Sequence, residues 1–270
     1  MAGAPTDEVL RFDDVSLHFD QTPALDHVSF SMNAGETRVV FGAAGSGKTM
    51  ILKTAVGLVK PDSGRVILFG EDVTKLKESA LYPIRSKVGI LFQEGGLFDS
   101  MDIAENVAYP LLNQQTRTNG HGESEVDAKV LQALNFVELG STLQKFPSEL
   151  SGGMRRRVGI ARAVVTEPPL VLYDSPTAGL DPITANLIIH LIIKERDSLN
   201  TAAILVTHRY QDGHLMANFR YNPDSGQIEP AHAGVKTKFL VMNEGRLVFD
   251  GSETELRASQ DAYIRKFVKY

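Results

Sequence analysis

Gly42-Ala43-Ala44-Gly45-Ser46-Gly47-Lys48-Thr49 is the stretch that decides the fold. Ahead of it Thr37–Phe41 (TRVVF) reads as a short buried strand, and behind it Lys48–Leu58 carries apolar residues at helical spacing. A strand, a loop of the pattern G-x-x-x-x-G-K-[ST] and a helix together form a phosphate cradle. Small residues let successive backbone N–H groups converge on phosphate oxygens, and the following helix N-terminus adds positive potential. In such a cradle Lys48 reaches the outer phosphates of a nucleotide and the Thr49 hydroxyl ligates Mg²⁺. The plain alternative is a glycine-rich turn without a ligand, and the strand–helix context argues against it.

Outward from the loop, strands and helices alternate, which predicts an α/β fold with a P-loop NTPase (RecA-like) core. The opening reads as an antiparallel β subdomain, with Val9–Phe12, Val15–Phe19 and Val28–Met32 alternating apolar with polar. Strands are predicted at Arg65–Phe69 and Lys87–Phe92. From Gly95 to about Leu150 the strand signal fades, and helical patterns at Met101–Leu112 and Glu125–Leu139 flank the polar loop Asn113–Gly122. This predicts an α-helical subdomain inserted at about 95–150. The core resumes with a helix Gly152–Val165, a strand Leu170–Tyr173, a helix Ile183–Ser198 and a strand Ala203–Val206. The segment 209–238 reads as irregular, with a hairpin of Asn218–Tyr221 and Gln227–Glu229 around Asn222-Pro223-Asp224-Ser225-Gly226. A second hairpin, Phe239–Met242 with Leu247–Asp250, leads to a predicted C-terminal helix at about 253–268. Its Leu256, Tyr263, Ile264, Phe267 and Val268 could form an apolar face against the chain's own core or a neighbour. The expectation is one domain over 6–270.

Composition bounds the chemistry. The 270 residues are 43% hydrophobic and 23% charged, ordinary for a globular chain, and 28 Lys+Arg against 33 Asp+Glu give a net charge of −5. That balance argues against wholesale nucleic-acid binding. With no cysteine, thiolate catalysis and Cys-zinc sites are excluded. The start MAGAPTDEVL lacks a secretory pattern, and LIIHLII at Leu187–Ile193 is too short to span a bilayer. The expectation is a soluble chain that reaches a membrane only through a partner.

Leu150-Ser151-Gly152-Gly153-Met154, opening a helix, resembles the signature motif of the ATP-binding cassette (ABC) family, and the resemblance extends over nearly the whole chain. It implies that Ser151, Gly152 and Gly153 meet the phosphate of an ATP held by the opposite subunit, so that two nucleotides lie between two cassettes. Gly42, Ala43, Ala44, Gly45, Ser46, Gly47, Lys48, Thr49 and Met50 would hold that ATP on the chain's own side. Leu170-Val171-Leu172-Tyr173-Asp174 resembles Walker B, which implies that Asp174 joins Thr49 and Gln93 around Mg²⁺. Gln93 fits the Q-loop glutamine, which links the metal site to a membrane subunit. Ala178-Gly179-Leu180-Asp181 looks like the D-loop, with Asp181 acting across the dimer. His208 looks like the switch histidine of the γ-phosphate. Phe19 sits where the family stacks an aromatic on adenine, although Phe12 is close by. Read without the resemblance, Phe19 could be core, His208 a turn residue and Gln93 a solvated side chain.

One position departs from the family, which normally has glutamate directly after the Walker B aspartate. Here it is Ser175, a poor proton acceptor, and a well-placed general base contributes roughly 10²–10⁴-fold. Three readings stay open. Hydrolysis is slow, with His208 and a Ser175-held water orienting the nucleophile; or Glu94 or Asp181 substitutes; or the chain pairs with an unlike cassette that keeps its glutamate.

Val88–Ser100 (VGILFQEGGLFDS), Glu105–Leu111 (ENVAYPL) and Ser151–Arg157 (SGGMRRR) resemble the bacterial Mla-type ATPases, which energise lipid traffic with MCE-domain proteins. The resemblance implies a peripheral ATPase on the inner face of the cell membrane. It also implies an integral membrane permease whose coupling helix docks near Gln93 and Gly95–Phe98, a second ABC subunit, and an MCE or substrate-binding protein in the same complex. Phospholipid or another hydrophobic molecule is the implied cargo. A polar-solute importer of amino-acid type is the runner-up, and a nontransport cassette the alternative from another class. At helical spacing Arg155, Arg156 and Arg157 cannot all face one way, and no nucleic-acid partner is expected. The 209–238 segment is either a partner contact or a tolerated insertion.

Overall fold

The computed structural model describes residues 7–113, 123–231 and 235–268. In chain order these form β1 (Glu8–Phe19), β2 (Thr22–Asn33), β3 (Thr37–Gly42), α1 (Lys48–Ala55), β4 (Ser63–Leu68), β5 (Glu71–Asp72), α2 (Glu78–Arg85) and β6 (Val88–Leu91). Then come α3 (Ile103–Asn113), α4 (Glu123–Phe136), α5 (Gly152–Val164), β7 (Leu170–Asp174), α6 (Pro182–Leu199), β8 (Ala202–Val206) and α7 (Tyr210–Asn218). The chain continues with β9 (Phe219–Asn222), β10 (Gln227–Pro230), β11 (Thr237–Asn243), β12 (Arg246–Gly251) and α8 (Glu253–Ala258). Most of the loop Asn113–Gly122 lies outside the described residues.

A six-stranded sheet in the order β12-β11-β3-β8-β7-β6 forms the centre. Its neighbours pair in parallel except for β12, which runs antiparallel along the β11 edge. The central strands are apolar throughout because both faces are covered, and successive side chains enter different cores. Val39, Phe41, Val171, Tyr173, Ala203 and Leu205 face the helices α3 to α7, while Val40, Leu170, Leu172, Ile204 and Val206 face α1 and the antiparallel sheet β2-β1-β4-β5. The first two predicted strands are one: β1 runs through a register shift after Phe12, with Asp14 at φ 54°.

Two of the helices were not expected. α2 contains Pro83, which reads as a helix breaker, yet it buries Leu81 and Ile84. α7 occupies the start of the segment read as irregular, because Gly213 lowers helical propensity at its centre. That glycine is required by packing, since a Cβ there would lie 2.7 Å from Cε1 of Phe239 and 3.1 Å from Cζ of Phe41. The expected hairpin follows directly as β9–β10.

The single C-terminal helix expected at 253–268 does not form. α8 stops at Ala258, Ser259 turns extended at ψ 134°, and a separate 3-10 turn, Ile264–Lys266, follows. The break is stabilised by Asp261, whose Oδ1 accepts the backbone N–H groups of Tyr263 at 2.7 Å and Ile264 at 3.1 Å. A carboxylate so placed starts a new turn and competes with the helix.

Candidate nucleotide site

The loop after β3 turns sharply before α1, and Gly47 makes the turn at φ 101°. A Cβ at Gly47 would sit 2.2 Å from the carbonyl oxygen of Ala24, so the loop lies directly against β2. Lys48 is buried and curls back, its Nζ donating to the carbonyls of Gly42 at 3.0 Å and Ala43 at 2.7 Å and to Ser46 Oγ at 3.4 Å. Burial holds its pKa below the ordinary lysine value, and the Asp174 carboxylate partly offsets that.

Asp174 ends β7 level with the loop. Its Oδ2 accepts the Thr49 hydroxyl at 3.1 Å, and its Oδ1 accepts the Ser175 hydroxyl at 3.2 Å. Ser175 adopts a left-handed backbone, φ 53°, and its N–H donates to the Val206 carbonyl of β8. His208 follows β8 by two residues. Its pKa lies below the ordinary histidine value, chiefly through partial burial and then through the Lys48 charge, while a hydrogen bond to the Gly42 backbone and the Asp174 charge oppose the shift.

These groups line one cavity of about 520 Å³ with Phe19, Gln93, Met50 and Ala178, a volume typical of small-molecule sites. Phe19, 52% exposed, presents a free aromatic face at its rim, whereas Phe12 is buried in a stacked pair with Phe30. The Thr49 hydroxyl is bonded to the Asp174 carboxylate and the Gln93 amide lines the same cavity, and their oxygens are a donor set of the kind that suits Mg²⁺ beside phosphates.

The predicted signature residues are elsewhere. Ser151 and Gly152 are exposed at the start of α5, where Ser151 Oγ accepts the Met154 N–H at 3.3 Å, and neither lines the cavity. Gly153 packs on α6, where a Cβ would meet Thr184 Cγ2 at 2.7 Å. Asp181 lies outside the cavity too, capping α6 through Oδ1, which accepts the N–H groups of Ile183 and Thr184 at 3.0 Å each. Hydrogen bonds from Thr184 hold its pKa below the usual carboxylate value. The Glu94 side chain is outside the described set.

The sequence reading placed Tyr263 only on an apolar face and missed its bond to the phosphate loop. Its hydroxyl accepts the Ala43 N–H at 3.0 Å and donates to the Met242 carbonyl at 2.9 Å, while Phe267 stacks near Phe41 with ring centroids 6.2 Å apart. The C-terminal turn thus braces the phosphate loop. Thr22, Pro23 and Ala24, which also line the cavity, were missed because only the contact between β2 and the loop brings them there.

A second groove, about 560 Å³, lies between α2, α3, β6 and α5, lined by Tyr82, Phe92, Phe98, Tyr109 and Arg162 among others. Arg162 donates to the carbonyls of Gly95 at 3.0 Å and Gly96 at 2.8 Å and stacks near the Phe98 ring, so the segment after Gln93 is fixed to α5. Arg155 donates to the Leu150 carbonyl, Arg156 is buried and Arg157 donates to the Val137 carbonyl, so the three point apart as expected. Among the described residues no helix is long and apolar enough to cross a membrane.

Residues 25–178 match the family model described as ABC transporter. The probable ribonucleotide transport ATP-binding protein mkl of Mycobacterium tuberculosis is 36% identical over 76% of this chain, and the match covers 56% of that relative. The chain thus spans little more than half the length of its mycobacterial relatives. The methionine import ATP-binding protein MetN of Rhizobium etli is 36% identical over 97% of this chain and 66% of its own length. The intermembrane phospholipid transport system ATP-binding protein MlaF of Haemophilus influenzae is 31% identical over 90% and 84%. Among solved structures, the dimeric post-hydrolysis state of the ATP-binding cassette MJ0796 bound to ADP and Pi is similar, with a TM-score of 0.76 and 26% identity over 90% of this chain and 98% of that one.

Proposed function

The chain belongs to the ABC transporter family, and on that premise we propose that it binds ATP with Mg²⁺ between two cassettes, hydrolyses it and drives a membrane permease. The observation that carries this reading is the separation within one chain. Lys48, Thr49, Gln93, Asp174, Ser175 and His208 share a cavity, whereas Ser151, Gly152 and Asp181 present themselves on a different part of the surface. Half a phosphate site in one place and a capped, exposed helix start in another are complementary when two copies meet face to face. Lys48 and the loop amides bind the phosphates, Phe19 offers its ring to the base, and Thr49, Asp174 and Gln93 hold the metal. When bound, Mg²⁺ neutralises phosphate charge. Neutral His208 presents a ring nitrogen to the outer phosphate.

Ser175, whose hydroxyl donates to Asp174, supplies no general base, because a neutral hydroxyl is a poor proton acceptor. Asp181 is a poor substitute within its own chain: it lies outside the cavity and is a weakened base. Slow hydrolysis with a positioned water, or a partner cassette that keeps its glutamate, fits this arrangement better.

MgATP-dependent dimerisation tests the reading by analytical ultracentrifugation. The wild-type chain, or its mixture with an unlike cassette purified with it, forms the closed pair with ATP, and Ser151→Arg abolishes that pair while leaving fluorescent ATP binding to the monomer intact. Persistence of the ATP-induced pair in Ser151→Arg overturns it.

For cargo, the likeness to MlaF over most of both chains and the aromatic groove beside Gly95 and Gly96 support a phospholipid or related hydrophobic molecule in an MCE-linked system. The likeness to MetN over 97% of the chain supports a polar-solute importer as the second reading. Lipid mass spectrometry of the purified permease complex separates them: co-purifying phospholipid supports the first and its absence the second. In either case the chain sits peripherally on the cytoplasmic face, with its groove receiving a permease helix.

A further inference from the structure

Asp212, in the first turn of α7, is fully buried and lies outside the nucleotide cavity, and one carboxylate oxygen takes both of its hydrogen bonds while the other has only an ion-pair neighbour. Oδ2 accepts the Thr177 hydroxyl at 2.5 Å and the Thr207 hydroxyl at 2.6 Å, and Oδ1 faces Arg209 Nη1 at 3.3 Å. Thr177 stands two residues after Ser175 on the segment that leads to Asp181, and Thr207 immediately precedes His208. The clasp has a second arm: the Arg209 N–H donates to Thr207 Oγ1 at 3.1 Å, and Arg209 Nη2 donates to Asn186 Oδ1 of α6 at 3.4 Å.

Removing a carboxylate from water is costly, and an apolar side chain of similar volume could fill the same space without that cost. The carboxyl group is placed where two site-bearing segments cross; burial raises its pKa, while the Thr177 and Thr207 hydroxyls and the Arg209 charge favour its ionised form, bonds to which are short and strongly directional. Thr177 and Thr207 are themselves 2% and 1% exposed, so neither hydroxyl can turn to solvent if the carboxylate is removed.

We infer that Asp212 is a positioning residue that joins the Ser175–Asp181 segment to the His208 segment, so that the two move as one unit. The inference rests on the ATPase reading above for its consequence, but the juxtaposition itself does not depend on nucleotide. With the clasp intact, a shift of Asp181 at a cassette interface is passed through Thr177 and Asp212 to His208. With the clasp removed, His208 loses its fixed place beside Gly42 and Lys48, and misplacement of about 1 Å costs on the order of 10²-fold in rate.

The test uses the full chain with Asp212→Ala, Asp212→Asn and Thr207→Val. The first readout is the His208 ring titration by NMR of ¹⁵N-histidine-labelled protein without nucleotide. Partial burial and Lys48 hold this ring below 6.5, so its release moves the midpoint back toward that value. Asp212→Ala and Thr207→Val raise the midpoint, and Asp212→Asn, which retains an oxygen for both hydroxyls, raises it less. The second readout is single-turnover MgATP hydrolysis, in which Asp212→Ala loses roughly 10–100-fold in rate with nucleotide affinity unchanged within about twofold. A His208 midpoint unmoved in folded Asp212→Ala overturns the inference. If that variant does not fold, an unmoved midpoint in Thr207→Val does so. Failure of the wild-type chain to bind MgATP would instead overturn the ATPase reading and leave the titration to judge the clasp.

Discussion

Thr49 and Asp174, 125 residues apart, meet through a 3.1 Å hydrogen bond from hydroxyl to carboxylate, which brings the start of α1 to the end of β7. This bond fixes the two proposed metal donors relative to each other before any ligand arrives. Thr49→Ala removes one donor and leaves the phosphate loop's backbone unchanged. The expected result is ATP affinity that no longer improves when Mg²⁺ is added, with metal-free binding kept within about twofold. Titration of fluorescent ATP with and without Mg²⁺ measures this, and retained Mg²⁺ enhancement would remove Thr49 from the metal set.

The base missing at Ser175 makes a second prediction. Ser175→Glu introduces a carboxylate beside Asp174, and the expected gain in single-turnover hydrolysis is roughly 10²–10⁴-fold if the absent base is limiting. The left-handed φ of 53° at this position adds strain for any non-glycine residue, so nucleotide affinity is the control for a misplaced loop. An unchanged rate with normal affinity would point to a base from elsewhere.

The polar site could be read from the sequence because its residues stand where strands end and helices begin, positions that motif spacing encodes. Lys48, Asp174, Gln93 and His208 converge for that reason. Tyr263 and Asp212 could not be read in the same way: Tyr263 reaches Ala43 over 220 residues and Asp212 reaches Thr177 over 35, through contacts no local pattern specifies. The same limit explains the elements. Pro83 and Gly213 mask two short helices that tertiary burial stabilises, and Asp261 breaks a helix that apolar spacing alone would extend.

Tyr263→Phe deletes a hydroxyl that both accepts from Ala43 and donates to Met242. The ring remains to pack on Phe267, so the loss is confined to hydrogen bonding and should be about 1–3 kcal/mol of stability. Because one bond ends on the phosphate loop, MgATP affinity should fall several-fold as well. Thermal melts and ATP titrations check the two effects. A stability loss with unaltered affinity would show that the C-terminal turn supports the fold alone.

His208 supplies a prediction in pH. An unfolded histidine takes up its proton near 6.5, whereas the folded ring resists protonation through partial burial and the charge of Lys48. On acidification the unfolded chain therefore binds the proton first. This residue's contribution to stability is full above 6.5 and is lost as pH falls through the lower, folded midpoint. Lys48→Met removes the second cause but leaves burial, so the His208 midpoint should rise part of the way toward 6.5 in an NMR titration. Lys48 and His208 would then be electrostatically coupled before ATP binds, and a midpoint insensitive to Lys48→Met would leave burial as the whole cause.

Gly213 offers the sharpest stability test, because helical propensity and packing predict opposite signs. In an exposed helix, alanine in place of glycine stabilises by about 1 kcal/mol. Here the added methyl would stand 2.7 Å from Phe239 and 3.1 Å from Phe41 and Val39, all on the covered face of the central sheet. Overpacking of this kind costs about 1–3 kcal/mol, so packing should win and Gly213→Ala should lower the denaturant midpoint. Since Phe41 ends the strand that feeds the phosphate loop, the shift should be accompanied by weaker ATP binding. A raised midpoint would mean that α7 can move off the sheet, and the rigid link from Asp212 to His208 would lose its foundation.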